Sequence, residues 1–441
     1  MTPQTSPSST NDAPAHVSTS NPVEGAAPGR FLRLPQLAGR SFIPLGLFAR
    51  LPLAMLTMGT LTLVTSVSGS FAAGGTAAGA VGIGSALGAP LLGSLADRRG
   101  QRPILLFSAV LNTLAVLALV LTATTTAAAG DFPLAVLAVA FAAGATSPQV
   151  GPLARVRWMS LTANVDGSAP PSDPARDLDT ALSYESTADE VTFVLGPALV
   201  GILASLVAPW LPLALAAAMT ITLVPGFAVH PTHRAVPAAR RSPDRKRQGA
   251  GDTNTSKLPW VVALPVFAMV CMGTFFGSTQ AALSAFAAGL AGTEIAGLLY
   301  AVMGLSSAAA ALSVAYWPRR AGLPLRWVLC AVLMAALAVL LLVPSSLPMM
   351  AAVLLLLGLP VGPVMVTVFA VGGRVAPAGR LGTVMTALAS GIVAGTALGS
   401  SVGGQLAQLY GHGAAFLVPV CAALALALLG AGAAVVLRQK A

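Results

Sequence analysis

The sequence predicts an all-α membrane protein of twelve transmembrane helices in two six-helix bundles. Three observations predict it: the composition, the spacing of the apolar runs and the placement of the basic residues. Of 441 residues, 56% are hydrophobic and only 9% are charged, whereas soluble domains are about one quarter charged. A soluble chain of this size would lack the charge to cover its surface. In lipid the difficulty disappears, because a helix satisfies its own backbone and can be apolar all round. Mean hydropathy is +0.82, and the 45 glycines suit bilayer bundles, where small residues let helix backbones approach.

Residues 1–40 are rich in Ser, Thr, Pro and Asn and lack the basic start and early apolar core of a signal peptide. They read as a disordered cytoplasmic tail. A spanning helix needs about 20 apolar residues. That rule places six helices near 43–66, 71–95, 103–127, 132–154, 180–207 and 210–229, the first bundle (41–229). A basic cytoplasmic linker, 230–257, follows. Six more helices near 259–290, 294–317, 323–343, 347–371, 381–407 and 412–437 make the second bundle (258–437), and 438–441 form a cytoplasmic C-terminus. The first two spans are divided only by a Ser/Gly run, and the fifth and sixth only by Pro209 and Pro212, so length forces those divisions.

Charge placement tests the count independently. With both termini inside, every Lys and Arg except Arg50 falls in the tail, an even-numbered connection or the C-terminus, and none falls in an outer loop. This is the positive-inside pattern, and a wrong count would scatter it. The formal charge of +10 therefore reflects topology, and nucleic acid is not an expected partner. Cys271, Cys330 and Cys421 sit inside apolar runs with no metal-ligand or CxxC spacing. His16, His230, His233 and His412 are scattered over tails and loops. No metal or cofactor site is expected, and no Walker loop, HExxH or GxSxG set suggests an enzyme.

Between the second and third spans the chain reads Gly93-Ser94-Leu95-Ala96-Asp97-Arg98-Arg99-Gly100-Gln101-Arg102-Pro103. This resembles the signature loop of the major facilitator superfamily, G-x-L-a-D-R-x-G-r-[RK], matched at Gly93, Asp97, Arg98, Gly100 and Arg102. Gln101 stands where a basic residue is usual. Gly93 would permit close helix packing, Gly100 a tight turn, and Asp97 is expected to pair with Arg98 or an arginine of a neighbouring helix. The matching loop of the second half, Tyr316-Trp317-Pro318-Arg319-Arg320, keeps arginines without the Gly…Asp frame. The resemblance implies two bundles rocking about a central cavity in alternating access; it fixes neither substrate nor direction.

In the fifth span, Gly196, Pro197 and Gly201 resemble part of the antiporter motif G-x-x-x-G-P-x-x-G-G of drug/proton exporters, without its upstream Gly and double Gly. Proline there would kink the helix; an ordinary membrane-helix kink is the plainer reading. Membrane-embedded ionisable groups are functional candidates. Asp131 and Glu294 fall at the outer face, Asp97 in the signature loop, and the other acids outside Glu185, Asp189 and Glu190 in tails or loops. Glu185 fits a helix-start acid favoured by the dipole. Glu190 lies about 26 Å from the outer helix end at 1.5 Å per residue, toward the inner edge of the core. A cluster of Glu190 or Asp189 with Arg50 or Arg155 is the expected proton-coupling group or inner gate. Asn112, Gln149, Gln280, Tyr300 and Gln405 are polar residues within spans, each able to line a cavity or to bridge helices.

The leading functional expectation is proton-coupled export of small lipophilic molecules across a cytoplasmic membrane by a monomer. An uptake symporter or facilitator for a small metabolite is the alternative, and a non-transporting membrane sensor the more distant one.

Overall fold

The computed structural model describes residues 29–69, 71–126, 134–163, 173–236, 259–290, 295–318 and 322–438. Among these there is no strand, and twelve helices are long and apolar enough to cross a membrane. They are α1 (Phe42–Ser68), α2 (Ala73–Arg99), α3 (Gln101–Thr125), α4 (Leu134–Ala163), α5 (Pro174–Leu206) and α6 (Leu211–Val229), then α7 (Trp260–Ala288), α8 (Ile295–Tyr316), α9 (Leu323–Leu342), α10 (Leu347–Val375), α11 (Leu381–Ala415) and α12 (Leu417–Val436). The twelve spans and the 6+6 arrangement are those expected.

Several boundaries move, for local reasons. Asp173 caps α5 by accepting from the Ala175 N–H at 3.2 Å, and Pro174 supplies a preset first turn. The fifth helix therefore starts six residues before 180, and Asp177 and Asp179 are helical, not in a loop. The fourth runs past 154 to Ala163, which carries Arg155 and Arg157 into buried helix. Of the stretch read as a disordered tail, residues 1–28 lie outside the described residues. The rest is ordered: Arg30–Arg33 form a 3-10 turn and Leu34–Ala38 a helix. Leu34 and Ala38 are buried against the first bundle, which an apolar segment achieves and a polar one does not. Most of the linker, 237–258, is also outside the described residues, as are Asp131, Glu294, Arg319 and Arg320.

Two helices are interrupted. The α1 helix breaks at Ala49–Arg50, just before Pro52, and α4 breaks at Thr146–Gln149 around Pro148. Backbone without regular helix is tolerated at membrane depth only where protein or a cavity satisfies it. Both breaks flank the same cluster of charged side chains.

Within the second bundle α7 packs along α11. A Cβ on Gly395 would collide with the Val270 carbonyl oxygen, and one on Gly273 with that of Ile392, so only glycine allows this approach. Between bundles, α2 meets α11 and α5 meets α8, contacts that exchange when one six-helix unit is laid on the other. The second bundle has one continuous apolar core, from Phe275 and Trp327 to Phe416. The first has separate clusters, one around Phe42, Trp158 and Phe227 and another around Leu63, Leu119 and Leu213. On α1, Arg50 lies between them. Large apolar side chains such as Leu91, Leu121 and Leu305 are exposed on the bundle exterior, the surface that lipid covers.

Candidate functional site

The arginine at the α1 break is enclosed on all sides. Arg50 donates through Nε to the Gly46 carbonyl at 2.9 Å, through Nη2 to Glu185 Oε2 at 2.6 Å and through Nη1 to Asp189 Oδ1 at 2.8 Å. Arg155 of α4 reaches the other Asp189 oxygen through Nη2 at 2.7 Å. Trp158 Nε1 donates to Glu185 Oε1 at 2.8 Å. Two guanidinium groups thus face two carboxylates, and the hydrogen bonds that make a buried pair tolerable are present. The Arg155 guanidinium also lies 3.9 Å above the Phe369 ring of α10, so the network touches the second bundle through a cation–π contact. Next to it is a small cavity of about 80 Å³, with Gln149, Ser85 and Ser390 in its wall.

Glu190 follows Asp189 in sequence and points elsewhere. It is 7% exposed and stands midway along α5 between Pro174 and Leu206. The Ser307 hydroxyl of α8 donates to its Oε1 at 2.9 Å, across the bundle interface. No basic side chain pairs with it among the described residues. Glu190 forms part of the wall of a cavity of about 460 Å³ between α5, α7, α8 and α11, along with Phe193, Phe276, Gln280, Tyr300 and Met303. Pro197 borders the same cavity within an unbroken α5. Gly196 instead faces Ala54 of α1, where a Cβ would come within 2.7 Å of the Ala54 Cβ. Gly201 has open space beside it.

Of the five polar span residues singled out, Gln149, Gln280 and Tyr300 border the two cavities, and Gln405 is exposed. Asn112 borders neither cavity; its amide donates to the Ala143 carbonyl at 2.6 Å and ties α3 to α4. The spacing gives both roles equal weight, and only the direction of the side chain separates them.

The 2–3 loop works at a helix end. Asp97 accepts from the backbone N–H of Gly382 at 2.8 Å, from that of Thr383 at 2.7 Å and from the Thr383 hydroxyl at 2.6 Å. Its partner is therefore the N-terminus of α11, which leaves backbone donors unpaired, and not the expected arginine. Arg98 and Arg102 are exposed. Gly100 adopts φ +95° and turns the chain between α2 and α3. A Cβ on Gly93 would strike Thr386 Oγ1, so this glycine is what lets α2 touch α11. Gln101, the departure from the usual basic residue, is buried and accepts from Arg157 Nε at 2.8 Å. Arg157 in turn donates to the Phe227 carbonyl at 2.7 Å, in the last turn of α6, and to the Thr232 hydroxyl at 3.0 Å. A second guanidinium at position 101 would face the first.

The site thus adds Glu185, Trp158, Ser307, Phe369, Thr383 and the Gln101–Arg157 pair to the residues singled out in the sequence. Other bundle-to-bundle contacts sit on the same side. Thr187 Oγ1 donates to the Ala308 carbonyl at 3.1 Å, Arg30 bonds to the Ala315 carbonyl, and Arg30 lies 4.8 Å from the Tyr316 ring centroid. From Glu190 to the face carrying the signature loop, hereafter the basic face, the bundles are held together. No group of three or more His, Cys, Asp or Glu able to hold a metal occurs among the described residues.

A family model described as Major Facilitator Superfamily matches residues 42–391. No curated protein sequence matches. Among solved structures, the human organic anion transporter MFSD10 (TETRAN) is similar at TM-score 0.64 and 19% identity, covering 92% of this chain and 100% of its own. A bacterial homologue of the iron transporter ferroportin, in an outward-facing state with soaked iron, is similar at TM-score 0.62 and 16% identity, with 89% and 98% covered. The proton:xylose symporter XylE is similar at TM-score 0.62 and 14% identity, with 88% and 94% covered. At these identities the likeness is one of fold.

Proposed function

Because the chain belongs to the major facilitator superfamily, we propose that it exports small lipophilic molecules in exchange for protons, with Glu190 as the coupling carboxylate. The family makes it a membrane transporter and not an enzyme. The proposal adds substrate class, direction and coupling ion, and it places both termini in the cytoplasm of a cell whose cytoplasmic membrane holds the protein as a monomer.

One observation carries the reading. Glu190 is the acid of the cluster without a cation, on the wall of a largely apolar and aromatic cavity between the bundles. Arg50, Arg155, Glu185 and Asp189 balance one another; Glu190 does not take part. A carboxylate so placed gains stability by taking up a proton or by facing a cationic substrate, and alternation between the two is the logic of exchange. A proton crossing 100 mV releases about 2.3 kcal/mol. The Arg50, Arg155, Asp189 and Gln149 side chains in the wall of the small cavity support a second reading, uptake of a polar metabolite with a proton.

Purified protein in liposomes, loaded with a pH-sensitive dye and offered lipophilic cations and neutral antibiotics, separates these. Proton movement opposite to substrate, present in the wild type and lost in Glu190→Gln, is the expected result. Movement retained in Glu190→Gln would remove Glu190 from coupling. Movement in the same direction as substrate would establish the symport reading instead.

A further inference from the structure

A cavity of about 600 Å³ opens between the bundles at the basic face, apart from the Glu190 site. Ala175 and Asp179 of α5 border it on one side; Leu323 and Arg326 of α9, Arg374 of α10 and Leu381 of α11 border it on the other. Three helices, α5, α9 and α11, therefore begin at its wall, each presenting backbone N–H groups and the positive end of its dipole. At α11 two of those donors are taken by Asp97, and at α5 one is taken by Asp173. At α9 the cap residue is Gly322, and no side chain caps the helix.

Arg326 lies in the first turn of α9 and is 4% exposed, yet its Nε has no hydrogen-bond partner among the described residues. Its Nη2 makes a long bond of 3.4 Å to the Pro318 carbonyl, and its Nη1 stands 4.0 Å from Asp179 Oδ2, beyond hydrogen-bond range. A buried guanidinium without a close carboxylate leaves most of its donors unused. Arg374 adds a second guanidinium at the exposed rim. Against these two charges the cavity wall sets one acid, Asp179.

We propose that this cavity binds a phosphate-type oxyanion, carried by an acidic lipid headgroup or free in solution. Arginine forks and an uncapped helix start are the groups that hold phosphate oxygens best. An anion seated there contacts α5 of one bundle and α9 and α10 of the other, so its occupancy favours the arrangement in which the basic face is held together. The site is independent of which substrate the central cavity takes.

The full chain in phosphatidylcholine nanodiscs is titrated with inorganic phosphate at constant ionic strength, with thermal stability and intrinsic tryptophan emission, to which Trp327 beside Arg326 contributes, as readouts. A parallel series replaces part of the phosphatidylcholine with phosphatidic acid. Saturable stabilisation is expected. It should weaken about tenfold or more in Arg374→Gln, since one charge-assisted contact is worth about that much, and Arg374 is exposed enough for the variant to fold. Asp179→Asn should tighten binding several-fold, an effect that loss of a structural contact would not produce. A response to phosphate in neutral nanodiscs identifies the free anion, and a response to phosphatidic acid alone identifies the headgroup. No response to either, or one unchanged in Arg374→Gln, overturns the proposal.

Discussion

Buried charge decides the residue scale. Asp189 bridges Arg50 and Arg155, and the Arg155 side chain is 1% exposed. Asp189→Asn removes the negative charge between two buried guanidinium groups and keeps an acceptor oxygen for only one of them, and breaking one side of a buried pair costs about 3–5 kcal/mol. Glu190→Gln keeps an acceptor for the Ser307 hydroxyl and abandons no cation, so its cost should stay below about 1 kcal/mol. Thermal unfolding in detergent should therefore rank Asp189→Asn far below Glu190→Gln; equal losses would mean the two acids share one network after all. Outside the spans, burial and then the charges of Arg157 and His233 hold the His230 imidazole below the usual histidine range. The fold accepts its neutral form, so that contribution is intact above the unfolded value of about 6.5 and fades as pH falls from there toward the folded value. Melting temperature followed from pH 7.5 to 5.5, taken as roughly spanning that window, should fall, and fall less in His230→Gln. Some of this chemistry was legible in the sequence and some was not. Elimination found Asp189, Arg50 and Arg155, because acids and arginines inside apolar runs are few. It set Glu185 aside as a helix-start acid, since a helix assumed to begin near 180 puts that residue close to its N-terminus. The Asp173-Pro174 cap, readable as a start signal, moves the start back and carries Glu185 into the interior.

At the scale of elements, the count of helices was readable because hydrophobic length and charge placement are independent constraints that agree. The interruptions of α1 and α4 were not, since a hydropathy window sees Arg50-Leu51-Pro52 and Ser147-Pro148-Gln149 as brief dips within long apolar runs. The prolines were the available sign: each removes a backbone donor near a position where the helix stops and a polar side chain turns inward. Discontinuous helices at a binding site are a recurring device of transporters, and here both breaks border the Arg50 network. The contact between α2 and α11 depends on two missing side chains, at Gly93 and Gly382. A Cβ at position 93 would meet Thr386 Oγ1 and come within 2.7 Å of the Gly382 carbonyl oxygen, so Gly93→Ala must push the helices apart. Transport should drop while helical content by circular dichroism stays unchanged. Adding Thr386→Ala removes the hydroxyl and should restore part of the activity, whereas no restoration would place the defect away from this contact.

At the scale of the molecule, the two halves divide the work unequally. Apart from Arg326, the first bundle carries the buried charges; the second presents an apolar core, the Ser307 hydroxyl, the Phe369 ring and the N-terminus of α11. A rocking motion that separates the basic face must therefore break the three Asp97 hydrogen bonds and slide Phe369 from Arg155. It need not dismantle the Arg50–Glu185–Asp189–Arg155 set, which lies within one bundle and can move as a unit. This ordering makes Asp97 the place to test the motion. Capping interactions of this kind are worth about 0.5–2 kcal/mol, enough to shift a two-state population about twofold to thirtyfold without unfolding either bundle. In a background with Cys271, Cys330 and Cys421 replaced, a cysteine at Ser390, which faces the small cavity beside Arg50, reports access from the basic side. Asp97→Ala should raise its labelling rate by a membrane-impermeant thiol reagent applied to that side, with only a small change in melting temperature. If labelling does not change, the Asp97 bonds only cap α11. The hold on the basic face would then rest with Arg30 at Ala315 and Thr187 at Ala308, and removing the Arg30 side chain would be the variant that opens it.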